Sequence, residues 1–164
     1  MKIYYTAVLF ISIAFGFSCS NNSQPPNEDP KEGNNSPEFL TKWTALNFAN
    51  QRRNDVLKNL SNTVKLYSNG NSNISDNILN DWKKSQEVLD TIRHHGSVLQ
   101  TTDIEKYLTM QSQFDVDEKA LLSYINNTEN LKTNNTILQS IKLLETTNKD
   151  IETQKEEFNK LYKK

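Results

Sequence analysis

The chain has 164 residues, and its 19 Lys plus Arg against 20 Asp plus Glu leave a formal charge of −1. That length suffices for one domain with a sizeable core, while the charge balance gives no electrostatic case for nucleic acid or for an anionic membrane surface. All four prolines lie at or before Pro37 and only Gly70 and Gly96 follow it, which favours long helices over a sheet; the single cysteine, Cys19, excludes an internal disulfide.

Residues 1–18 read MKIYYTAVLFISIAFGFS, one positive charge at Lys2 and then an apolar run to Phe17. The run is shorter than the roughly 20 residues needed to cross a bilayer and ends in a small residue before Cys19, the layout of a secretory signal. Gly16-Phe17-Ser18-Cys19 resembles a bacterial lipobox, although Gly16 and Phe17 depart from its usual residues. That resemblance implies that Cys19 is lipidated (palmitate or a similar acyl chain) and becomes the first mature residue; an uncleaved anchor is the alternative. Either way the domain is expected at a membrane. Residues 20–35, SNNSQPPNEDPKEGNN, have nothing that could nucleate a core and are expected to form a disordered tether. As a flexible coil it would reach about 20–25 Å r.m.s..

The first helix is expected to open with Ser36 as N-cap, Pro37 at the first helical position and Glu38 near the positive end, and to run to about Ser68. Phe39, Trp43, Leu46, Asn50, Arg53, Leu57, Leu60, Val64 and Tyr67 follow one another by fours and threes, a coiled-coil-like stripe that breaks twice in mid-helix, at Asn50 and Arg53. A second helix, about 74–95, carries Ile74, Ile78, Trp82, Leu89 and Ile92 on one face, with Gly96 as its natural stop. Thr102 and Glu105 are spaced as a capping box for a third helix. Its stripe weakens between Gln111 and Asp117, which predicts a kink or restart near Asp115, with Asp115 and Glu118 capping a second segment. After a polar loop at 130–133, a last helix carries Ile137, Ile141, Leu144, Asn148, Ile151, Lys155, Phe158 and Tyr162. The fold class expected is all-α, an antiparallel up-and-down bundle of four long helices.

Pairing Phe39 with Tyr162 in antiparallel register sets Leu57 opposite Leu144 and Val64 opposite Ile137, so that apolar meets apolar. The same register places Arg53 opposite Asn148, with Glu145 one turn away. A buried guanidinium must be paired and hydrogen-bonded, so Arg53 is expected to bond to Asn148, Glu145 or both. Asn50, Arg52, Arg53, Glu145 and Asn148 are therefore the candidate polar layer or binding residues. Arg52 and Arg53 can also be read as a basic pair for a lipid phosphate or an acidic partner.

Trp43 with Gln51-Arg52-Arg53, Asp55, Asn59-Leu60, Thr63-Val64-Lys65 and Tyr67 resembles the signature of LemA family proteins. Leu131-Lys132, Asn134, Leu138-Gln139, Leu144, Thr147, Ile151 and Phe158-Asn159 are similar to residues of that family's last long helix, so the resemblance covers about 39–160. It implies a membrane-tethered bundle of four long helices with no established enzymatic activity. The family usually has Pro at the position of Lys58, Gly at that of Leu66, and an N-terminal transmembrane helix in place of a lipobox.

No phosphate loop, paired-cysteine metal site or nucleophile elbow is present. His94 and His95, being adjacent on a helix, point about 100° apart and cannot chelate together. Carboxylates such as Glu156-Glu157 or Asp115 and Asp117 are what any solvated helix face supplies. No catalytic residue, metal or cofactor is expected. The function expected is a lipid-anchored scaffold or adaptor on the extracytoplasmic side of the cell envelope, with the membrane and an envelope protein as partners; the alternative is a solute-binding lipoprotein that uses the polar layer.

Overall fold

The computed structural model describes residues 36–68, 73–94 and 99–162. The signal, Cys19, the tether, His95 and Gly96 lie outside the described residues. What is described is all helix and turn: α1 (Pro37–Tyr67), α2 (Asn73–His94), α3 (Thr101–Asn126), the single turn α4 (Glu129–Lys132) and α5 (Asn135–Tyr162). The all-α, four-long-helix expectation therefore holds.

α1 begins as its sequence dictates. The Ser36 hydroxyl accepts from the Phe39 amide at 3.1 Å and Pro37 opens the helix, a cap worth about 1 kcal/mol. Every residue of the predicted stripe is buried except Tyr67, which is 43% exposed where the helix ends. α1 runs antiparallel to α5 in the expected register. Lys42 pairs with Glu157 at 3.1 Å and Arg52 with Asp150 at 3.4 Å, while the Phe39 ring lies tilted against Phe158 and Tyr162, 5.3 and 6.3 Å between centroids. α2 packs against α1 and α3, and Lys65 closes the α1–α2 turn on Asp76 at 2.6 Å.

α3 differs from its sequence reading in two ways. Its N-cap is Gln100, with Thr102 already inside the helix, and the backbone closes the first turn without a capping box. The helix then runs unbroken through Asp115 to Asn126. Of the two residues expected to cap a restart, Asp115 accepts from Arg53 on α1 and Glu118 accepts from Asn148 on α5, so neither is left to cap one. The chain breaks later, at Asn127–Thr128, where α4 drops Leu131 into the core. Asn134 then caps α5, its side chain accepting from the Thr136 and Ile137 amides.

The core is divided in two. One cluster holds Phe39, Trp43, Leu46, Leu89, Tyr107 and Phe158; Trp43 meets Tyr107 edge-on at 5.3 Å between centroids. The other holds Leu57, Leu60, Val64, Phe114, Leu121 and Leu144. Between them lies a buried polar layer of Asn50, Arg53, Asn54, Gln111 and Thr147.

Candidate functional site

Arg53 sits at the centre of that layer with its side chain only 5% exposed. Its Nη1 donates to Asp115 Oδ1, its Nη2 to the backbone oxygen and side-chain oxygen of Gln111 at 3.2 and 3.1 Å, and its Nε to Asn54 Oδ1 at 3.4 Å. Asn54 also donates to Gln111 Oε1, at 3.1 Å. The guanidinium lies 6.0 Å from the Phe114 ring centroid, within cation–π range. This corrects the bonding expected from two-helix register: the carboxylate and amide that hold Arg53 come from α3, whereas Asn148 donates to Glu118 at 2.6 Å and Glu145 is exposed. An arginine side chain is long enough to cross to a third helix, and Asp115 offers a full charge where Asn148 offers only a dipole.

The other candidate residues are placed as follows. Asn50 is buried one turn from Arg53. Arg52 points away from the layer, exposed, and pairs with Asp150. Asn148 is half-buried on α5, while Thr147 takes the fully buried position beside it. His94 is exposed and its Nδ1 lies 2.6 Å from the Asp90 carbonyl one turn back.

α3 and α5 do not pack closely on one another, and between them opens a groove of about 380 Å³ with α1 as its floor. Leu46, Leu108, Ile151 and Phe158 line its apolar end. Asn50, Arg53, Gln111, Asp115, Glu118 and Asn148 line its polar end. On α3 the lining residues Leu108, Gln111, Asp115 and Glu118 repeat at threes and fours, so one helical face is turned to the groove. Lys119, Glu152 and Lys155 are the exposed charges along its edge.

The electrostatics of the polar end are uneven. Arg53 and Asp115 offset each other. Glu118 has no cation at ion-pair distance among the described residues; burial pushes its carboxyl above the ordinary value, and the Asn148 hydrogen bond and the Arg53 charge pull it back only in part. Gln111 Nε2 is buried with no acceptor, because both neighbouring donors have taken its oxygen. Burial likewise raises the Tyr107 phenol, against the Arg53 charge, and its hydroxyl donates to Asn47 Oδ1 at 3.0 Å. Among the described residues no group of His, Cys, Asp or Glu is placed to hold a metal ion.

The architecture and the α1 signature come together in one comparison. The chain matches the LemA family over residues 42–164. It belongs to the LemA family. The match takes in the whole polar layer and both walls of the groove. No curated protein and no solved structure matched the chain. At Lys58, where the family resemblance leads one to expect proline, α1 stays a continuous helix. The lysine ammonium lies 3.7 Å from the Trp82 ring centroid, whose Nε1 donates to Asp55 at 2.9 Å. No helix among the described residues is long and apolar enough to cross a membrane.

Sequence reasoning missed Asn54 and Gln111 as members of the layer and its groove, and assigned Asp115 and Glu118 to a cap. A signal was present: the polar interruption of the α3 stripe falls at the same height as the interruption of the α1 stripe. Two such breaks in facing stripes satisfy one another.

Proposed function

We propose that this LemA family member is a membrane-tethered adaptor of the bacterial cell envelope, anchored through lipidated Cys19, that holds a partner protein in the α3–α5 groove. The observation that carries the reading is the groove itself. It is amphipathic, about 380 Å³ in volume, and built on two rigid helices whose polar floor is held by the Arg53 network. Pre-organisation of that kind lowers the ordering cost of binding. The polar residues at the groove are arranged as hydrogen-bonding and charged contacts, which suits recognition, and the LemA family is not a known enzyme family.

The test is cross-linking of the membrane-tethered protein in intact cells, followed by detergent extraction and peptide mapping. The adaptor reading expects an envelope protein linked to α3 or α5 along the groove. Recovery of the protein with no reproducible cross-linked partner would end it.

The groove volume also favours a second reading, solute binding, because small-ligand pockets span roughly 300–1,000 Å³. Native mass spectrometry of the gently extracted protein separates the two: a small molecule that co-purifies and is lost on Ile151→Trp supports the solute reading, and an unliganded mass opposes it.

A further inference from the structure

At the polar end of the groove the half-buried Glu118 has Arg53 and Lys119 in its surroundings but no cation at ion-pair distance among the described residues. We infer that the groove takes a polypeptide segment presenting a basic side chain flanked by apolar ones, its cation on Glu118 and its apolar neighbours against Leu108, Ile151 and Phe158. This deepens the adaptor reading and rests on it.

Charge complementarity selects the occupant. At the buried level Arg53 is committed to Asp115, so the net charge facing an incoming group is that of Glu118. One of its oxygens accepts from Asn148, and a carboxylate has a second to offer. At the buried level an anionic occupant meets the Glu118 carboxylate and is disfavoured there, while Lys119, Lys155 and Glu152 are exposed charges at the edge that solvent screens. A lysine or arginine side chain reaches Glu118 with a long apolar stem that can lie along the groove wall. A polypeptide also brings carbonyl oxygens, which is the acceptor that buried Gln111 Nε2 lacks. Gln111 and Glu118 lie seven residues apart on one face of α3, about 10 Å, a span that one extended basic residue covers between its backbone carbonyl and its charged end. The apolar end of the groove then receives the neighbouring side chains.

The probes are two capped, fluorescein-labelled peptides, Leu-Leu-Lys-Leu-Leu and its counterpart with Glu in place of Lys. They are titrated against the full chain in nanodiscs, with empty nanodiscs subtracted and a photo-cross-linker to map contact. The expected result is saturable binding of the lysine peptide, cross-links within 108–118 and 148–158, and affinity reduced about tenfold or more by Glu118→Gln. That substitution keeps an oxygen for Asn148 and removes a carboxyl that burial disfavours when charged, so the fold should be no less stable than wild type. Equal binding of the glutamate peptide, an affinity unmoved by Glu118→Gln, or cross-links confined to the exposed Phe48 face each overturn the inference. If Glu118→Gln still captures the envelope partner as wild type does, the groove inference falls and the adaptor reading stands; if wild type captures none, the adaptor reading falls.

Discussion

Arg53 on α1 is held by Asp115 on α3, 62 residues further along the chain, and this pair joins two helices across the gap between the two halves of the core. The two partners are unequal: the arginine side chain is 5% exposed and the aspartate 48%. Removing either one therefore leaves a different problem behind.

Asp115→Ala leaves a buried guanidinium with only neutral acceptors, and it should cost about 3 kcal/mol, the low end for a broken buried pair because water reaches the site. Arg53→Met removes the buried charge and leaves Asp115 free to turn to solvent, so it should cost about 1 kcal/mol or less and can stabilise. Urea denaturation of the two variants checks the order. An arginine variant that is less stable than the aspartate variant would refute the assignment.

Leu60 and Leu144 are fully buried in the same apolar cluster. Each truncation to alanine should cost roughly 2–5 kcal/mol. Phe48, 64% exposed, should lose no more than about 0.5 kcal/mol on the same change. Similar denaturation midpoints for all three variants would contradict the packing described.

Asp117 is buried between α3 and α2. It accepts from Gln113 at 3.1 Å, its Oδ2 has no donor, and Lys84 pairs with Asp81 nearby on α2. Burial raises its carboxyl above the ordinary value of 3.8, the Asp81 carboxylate adds to the rise, and the Gln113 hydrogen bond and Lys84 charge oppose it. A raised carboxyl favours folding while protonated, so its contribution is present below 3.8 and is lost as pH rises through the native value. Asp117→Asn should therefore match wild type in acid and gain stability over it toward neutrality. Thermal melts of both proteins across that range read the gap, and a gap that widens toward acid would reverse the sign.

Cys19→Ser should abolish acylation and release or mislocalise the protein. Metabolic labelling with a fatty acid checks this against the wild type. An unlabelled wild type with an intact N-terminus would remove the lipid anchor, since a multiply acylated cysteine is what holds such a protein stably at a bilayer.

The sequence by itself determined that there are four long helices and how α1 lies on α5, but in it 130–133 reads as a polar loop where α4 buries Leu131. The threes-and-fours stripe from Phe39 to Val64 is buried residue for residue, because burying that apolar face is what stabilises a long helix in water. The Phe39–Tyr162 register follows because slippage would set apolar positions against polar ones, and Lys42–Glu157 and Arg52–Asp150 show it kept. Only the tertiary structure decided what Arg53 bonds to and that α3 runs straight through Asp115. A stripe records that a residue faces inward, and at the centre of a bundle inward means toward every other helix at once. Which partner is chosen depends on side-chain reach and on full charge winning over dipole in a low-dielectric layer. The same polar run from Gln111 to Asp117 that looks like a break along one helix becomes, once α1 lies beside it, part of what holds the helices together. The groove was likewise beyond sequence patterning, because a gap between α3 and α5 depends on how far apart two helices stand, and spacing along a chain carries no measure of that.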